Sequence, residues 1–121
     1  MSKIITAINA MVSRPDKIGT VVKSNINQEE YYFVYDGKYY WSIVKQTNDY
    51  ILHFYPGEFD IYELSAIDGG DWESIDFITY KTSEIKTREA YESFSNLYLI
   101  IQEKQYGLDK ILDDIIGDAA F

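Results

Sequence analysis

Residues 30–57 read EYYFVYDGKYYWSIVKQTNDYILHFYPG. Tyr31–Tyr35 and Lys38–Lys45 are rich in aromatic and β-branched side chains and flank Asp36-Gly37. Asp-Gly between two such runs predicts a two-residue hairpin turn, because a type I′ turn needs φ > 0 at both central positions. Asn48-Asp49 predicts a second turn, leading into a third strand over Tyr50–Tyr55 that Pro56-Gly57 ends. The stretch is a three-stranded antiparallel meander.

A two-residue first turn sets Tyr35 opposite Lys38, Phe33 opposite Tyr40 and Tyr32 opposite Trp41. Cross-strand partners share a face. One face then collects Tyr32, Val34, Tyr39, Trp41, Ile43, Leu52 and Phe54, the expected core side. The other collects Tyr31, Phe33, Tyr35, Tyr40 and His53, together with Lys38, Ser42, Val44, Ile51 and Tyr55. Two readings of this second face stand side by side. A helix covers it, since the chain has helices to spare. Alternatively it is a tyrosine-rich binding surface, because tyrosine brings large area with a polar tip. A one-residue slip at either turn changes these assignments.

Helical spacing flanks the meander. Ile4, Ile5, Ile8, Met11 and Val12 mark one face of a helix over residues 3–12, with Ser2 as N-cap and Arg14-Pro15 as its stop. Residues 18–23 fit a short strand or a further helical turn. A short helix is expected over 58–67, with Gly57 as N-cap, then a loop at Asp68-Gly69-Gly70-Asp71 and a fourth strand over Ser74–Thr82. Ala90, Phe94, Leu97, Tyr98 and Ile101 predict a long helix capped by Thr87 and broken by Gly107. Leu108, Ile111, Leu112, Ile115 and Ile116 form a second apolar stripe, expected to end at Gly117. The expected class is α+β: one domain over 1–121, its antiparallel sheet packed by N-terminal and C-terminal helices.

Composition bounds the function. The chain has 121 residues, 46% of them apolar, no cysteine, one histidine and a formal net charge of −9. That length supports a single hydrophobic core without disulfides or metal. No apolar run is long enough to span a membrane. The first residues lack a secretory apolar region, so a cytoplasmic location is expected. The acidity argues against direct nucleic-acid binding, which needs a basic footprint. It fits a basic protein partner.

The acidity is also local. From Gln46 to Tyr80 there are eight carboxylates and no lysine or arginine. Asp60, Glu63, Asp68, Asp71, Glu73 and Asp76 lie in this span, and Trp72 sits between two of them. An aromatic anchor ringed by carboxylates has the makeup of a contact site for a basic surface. The bland readings are a solvated surface and a tryptophan tucked into the core. The spacing of Asp68, Asp71, Glu73 and Asp76 does not match an EF-hand, so no metal is expected.

Catalytic constellations are missing. Without cysteine there is no thiol nucleophile, and one histidine forbids a paired-histidine zinc site. There is no Gly-x-Ser-x-Gly elbow, phosphate loop or dinucleotide fingerprint. Asp113-Asp114 and Asp68 with Asp71 are the remaining carboxylate pairs, and helix-surface carboxylates are ordinarily solvated. Arg14 and Arg88 are the only arginines, which disfavours phosphate substrates. No catalytic residue and no cofactor are expected.

The size, the charge, the missing catalytic groups and the aromatic meander of Glu30–Tyr55 beside an acidic belt resemble the small acidic immunity proteins of bacterial toxin systems, including contact-dependent inhibition. The resemblance covers about half the chain and rests on no specific motif. It implies a protein that binds a cognate toxin, often a nuclease, in the producer's cytoplasm and blocks it. Asp60, Glu63, Asp68, Asp71, Trp72, Glu73 and Asp76 are the first candidates for partner binding. Tyr31, Phe33, Tyr35, Tyr40 and His53 are the second. A phage-encoded acidic anti-defence inhibitor or DNA mimic explains the charge as well. A small enzyme or ligand-binding module using the tyrosine face and His53 is the third reading. The oligomeric state stays open.

Overall fold

A computed structural model describes residues 2–67 and 75–119. Helix α1 spans Lys3–Ser13, and the Ser2 side chain accepts the Ile4 N–H at 3.3 Å as its N-cap. A 3-10 turn at Pro15–Lys17 follows. The ambiguous segment is a strand, β1 (Ile18–Lys23). Its β-branched residues pair with β2 (Glu30–Tyr35), with an irregularity between Gly19 and Val21. Next come β3 (Tyr39–Gln46), β4 (Asp49–Tyr55), α2 (Ile61–Ser65) and β5 (Ile78–Lys81). The chain then forms α3 (Thr82–Ile85), α4 (Arg88–Tyr106) and α5 (Leu108–Ala119). The sheet runs β1-β2-β3-β4-β5, and every neighbouring pair is antiparallel. The class is α+β, an antiparallel sheet packed by helices.

The first hairpin departs from the expected pairing by one residue. Tyr35 pairs with Tyr39, Phe33 with Trp41 and Tyr31 with Ile43. Asp36 and Gly37 do take the positive φ of a tight turn, at 56° and 70°, and the Lys38 N–H reaches the Tyr35 carbonyl at 3.3 Å. Lys38 nevertheless stays out of the ladder, so the loop holds three residues. The slip moves Tyr31 and Phe33 onto the face of Trp41, Ile43 and Leu52. Phe33, which has no polar atom, enters the deepest core beside Ile8, Phe94 and Leu97. Tyr32, whose hydroxyl needs a partner when buried, goes to the opposite face.

The second turn slips by two residues and keeps its faces. It is Thr47-Asn48, with Gln46 opposite Asp49. Asp49 is drawn into the strand because its carboxylate accepts from the Thr82 hydroxyl, the Ser83 N–H at 3.0 Å and the Ser83 hydroxyl at 2.8 Å. His53 therefore lies opposite the face of Trp41, Leu52 and Phe54, as the sequence predicts.

Both faces of the sheet are covered. On the first, α1 and α4 pack against the sheet. Thr87 caps α4 by accepting the Ala90 N–H at 3.0 Å, and Gly107 ends it at φ 64°. On the second, Ile61 and Leu64 of α2 bury against Tyr32 and Tyr55. Helix α2 begins three residues later than predicted, because Asp60 is the cap in place of Gly57. Strand β5 is shorter than expected at both ends: residues 75–77 stay outside the ladder, and Thr82 already starts α3. Helix α5 runs through Gly117, and its apolar stripe is exposed, so it does not join the sheet packing. Among the described residues no helix is long and apolar enough to cross a membrane.

The observed register makes Phe33 a core residue. Phe33→Ala should lose about 3–5 kcal/mol of unfolding free energy. Urea unfolding checks this, with a lower midpoint at unchanged slope. A loss below about 1 kcal/mol would place Phe33 outside the tightly packed core.

Candidate functional site

Asp68, Asp71, Trp72 and Glu73 lie outside the described residues. The loop expected at Asp68-Gly69-Gly70-Asp71 does too. The residues that flank this segment are informative. Ile67 and Ile75 both pack against the cluster of Tyr32, Tyr55, Ile61 and Leu64.

The remaining belt carboxylates do three different things. Asp49 closes the β4–α3 junction. Asp60 caps α2, its Oδ1 accepting from Tyr62 at 2.9 Å and Glu63 at 3.2 Å. Glu58, Glu63 and Asp76 are exposed. Asp49 starts β4 and Asp60 follows its far end, so a strand about 20 Å long lies between them in the chain. The ion pairs among the described residues are Lys38–Asp36 at 3.9 Å and Arg88–Glu92 at 3.0 Å, and neither involves the belt. Tyr62 is 65% exposed beside Glu63, and Phe77 is 44% exposed beside Asp76. The Phe77 ring also packs edge-on to His53 at 5.4 Å.

The second candidate set does not form one surface. Tyr31 and Phe33 are buried against the helices, with the Tyr31 ring 5.6 Å from Tyr98. Tyr35 is on their face and Tyr40 and His53 on the opposite one. The three-residue loop at Asp36–Lys38 causes this division. Tyr31 and Phe33 therefore offer a partner nothing. Tyr35 contributes to a different feature, an apolar pocket of about 360 Å³ walled by Tyr39, Trp41, Phe54 and Tyr80 and by Ala7, Ala10 and Met11 of α1. The Trp41 and Phe54 rings pack there at a tilt of 53°, their centroids 4.8 Å apart. The Trp41 Nε1 is buried without an acceptor among the described residues, a cost that this packing offsets.

On the second face the slip assembles a polar network that the expected register scatters. Ser42 Oγ donates to Glu30 at 2.9 Å and shares a 2.8 Å hydrogen bond with the Tyr55 hydroxyl. The Tyr32 hydroxyl reaches the other Glu30 oxygen at 3.5 Å. Glu30, Tyr32 and Tyr55 line a cleft of about 250 Å³ together with His53, and Ser42 lies buried beneath it. Burial raises the Glu30 carboxyl above its ordinary range, and the hydrogen bonds from Ser42 and Tyr32 pull it back only in part. Burial, then the neighbouring Tyr55 and Glu30, push the Tyr32 hydroxyl far up. Burial and then Lys81 lower His53, so its ring is neutral at pH 7, with Nδ1 3.0 Å from Thr79 Oγ1.

The groups of this network are bonded to one another within the fold. Ser42 is fully buried and bonds to Glu30 and Tyr55, and His53 bonds to Thr79. Among the described residues no cluster of histidine and carboxylate suits a metal. In the sequence, a glutamate and a serine inside an apolar alternation, Glu30 and Ser42, are a usable signal of a buried polar pair. Comparisons of the chain with protein-family models, curated proteins and solved structures give no match.

Two carboxylates give opposite pH responses. Burial pushes Asp49 up, but the hydrogen bonds from Thr82, Ser83 and the backbone outweigh it and hold Asp49 below its ordinary 3.8. Its contribution is present above that value and disappears as the pH falls through the folded pKa. Asp49→Ala should cost about 1 kcal/mol at pH 7 and progressively less as the pH falls below 3.8, read by urea unfolding across an acid pH series. Glu30 is raised, so the folded state holds its proton more tightly than the unfolded chain. Stability from this group is greatest below its ordinary 4.5 and falls as the pH rises through the folded value. Glu30→Gln should flatten that part of the stability profile as the pH rises above 4.5. An unchanged slope there would show that Glu30 is not the group responsible.

Proposed function

We propose that this chain is a non-enzymatic binding protein that neutralises a basic protein partner. The observation that carries the reading is a set of exposed carboxylates, two around α2 and one just ahead of β5. These carboxylates, Glu58, Glu63 and Asp76, have no cationic neighbour within ion-pair distance among the described residues. Unanswered carboxylates steer a positive partner and reject wrong ones more than they add raw affinity. Tyr62 and Phe77 supply exposed aromatic area among them, the residue type on which interface energy concentrates.

The resemblance to immunity proteins supplies the partner class: a cognate bacterial toxin, and among toxins a nuclease, whose phosphate-binding surface is basic. The inhibitor acts in the producer's cytoplasm by covering that surface. Asp60, Glu63, Asp68, Asp71, Glu73 and Asp76 furnish the charge in this proposal, with Trp72 as anchor. It acts by binding alone, and the sealed position of Ser42 supports that.

The test is kinetic, on the partner captured from the native host and purified. The association rate should fall as salt rises, and Glu63→Lys with Asp76→Lys should slow it further while leaving dissociation nearly unchanged. Asp60→Lys is avoided because it removes the α2 cap. Trp72→Ala should raise the dissociation rate and cost about 2 kcal/mol or more at unchanged thermal stability. An association rate indifferent to ionic strength and to both reversals would sink this surface as the binding site.

A further inference from the structure

Helix α5 is amphipathic, and its apolar side faces solvent. Ile111, Leu112, Ile115 and Ile116 are 47, 48, 59 and 65% exposed. The same kind of stripe on α4 is buried at Phe94, Leu97 and Ile101. Among the described elements, α5 packs appreciably only on α4. Single exposed hydrophobes are ordinary, but four on one face of one helix make a contiguous patch, which marks an interaction surface.

The charges around the stripe decide the occupant. At 3.6 residues per turn, Ile111, Leu112, Ile115 and Ile116 share one arc. Asp113 falls on one flank of that arc, and Asp114 and Asp118 fall on the other; all three are exposed. Lys110, the one basic residue of α5, falls on the back. The helix therefore presents an aliphatic ridge with a carboxylate rim on each side. We propose that α5 docks into an apolar groove of a partner protein whose two rims carry lysine or arginine. This is recognition of a helix in a groove, with the anchors one turn apart.

Two other occupants fit worse. A second copy laid ridge to ridge brings the carboxylate rims of two chains together, each chain with a net charge of −9, and like charges on facing helices repel. An anionic lipid surface selects helices with lysine and arginine beside the apolar face, the reverse of α5. The proposal does not depend on the acidic surface beside α2. Helix α2 covers one face of the sheet, and α5 continues from α4, which packs on the other.

The test uses the full chain with photo-reactive p-benzoylphenylalanine in place of Ile115, in cells of the native host. Adducts are digested and the crosslinked peptide is sequenced by mass spectrometry. The expected adduct is with another protein, at a segment where apolar residues are flanked by lysine or arginine. With that protein purified, Leu112→Asp with Ile116→Asp should lower affinity about tenfold or more. The thermal midpoint should not move, since both side chains are exposed. Asp113→Lys with Asp118→Lys should slow association and weaken its salt dependence. Glu63→Lys, on the far face, should leave crosslinking from position 115 intact, so failure of the α2 surface and failure of α5 read out separately. Four results would overturn the proposal. They are an adduct between two copies with a dimer in sedimentation, a lipid adduct, a contacted segment without basic residues, or a yield no higher than with the probe at Lys110.

Discussion

Asp36, Gly37 and Lys38 separate β2 from β3 by three residues, and the faces of the sheet follow from that odd number. Side chains alternate along a strand with a period of two, so one extra loop residue exchanges every partner across the hairpin. With Lys38 outside the ladder, Phe33 joins Trp41 and Tyr31 joins Ile43 on the face beneath α1 and α4. Glu30, Tyr32, Ser42 and Tyr55 are thereby gathered on the other face. The helix-covered core receives Phe33 along with the aliphatic residues Ile8, Ile43, Leu52, Leu97 and Ile101 and the rings of Tyr31, Tyr50 and Tyr98. The face with hydroxyls and a carboxylate receives the thinner cover of α2. A two-residue loop would have set Tyr32 into the first core and split Glu30 from Ser42.

Carboxylates of one acidic stretch then diverge in role according to what lies beside them. Asp49 meets the hydroxyls and N–H of Thr82 and Ser83 and becomes a clamp between β4 and α3. Asp60 meets the free N–H groups of a helix start and becomes a cap. Glu63 and Asp76 meet solvent. A carboxylate that satisfies backbone donors is poorly spared for a partner, whereas one without a cation neighbour loses little by meeting one. The binding proposal therefore rests on Glu63 and Asp76 more than on Asp49 and Asp60.

Helices α4 and α5 make the complementary point for apolar residues. Both carry an aliphatic stripe at helical spacing. The stripe of α4 is buried because that helix lies across the sheet, with Tyr98 donating to the Glu29 carbonyl at 3.0 Å and Ser93 to Asn9 at 2.7 Å. Gly107, at φ 64°, turns the chain away at the end of α4. Helix α5 then finds no sheet left to cover.

The local signals were legible in the chain. Ser2 and Thr87 announce helix starts, Gly107 a helix end, and Asp36-Gly37 a hairpin, because capping and positive φ are properties of a few neighbouring residues. The aromatic runs of Glu30–Tyr55 establish the meander by themselves, and the lone His53 lies on the predicted face. The acidic span Gln46–Tyr80 is a fact of sequence, as is the apolar stripe of Leu108–Ile116. What sequence alone left undecided is which face Phe33 occupies, since a two-residue and a three-residue loop around Asp-Gly are locally alike. It equally left open whether Asp49 turns the chain or clamps α3, because Thr82 and Ser83 lie more than thirty residues away. The buried partnership of Glu30, Ser42 and Tyr55, and the exposure of Ile115 and Ile116, have the same origin. They depend on which surfaces remain once the sheet faces are filled, and that competition is settled only when distant parts of the chain pack together.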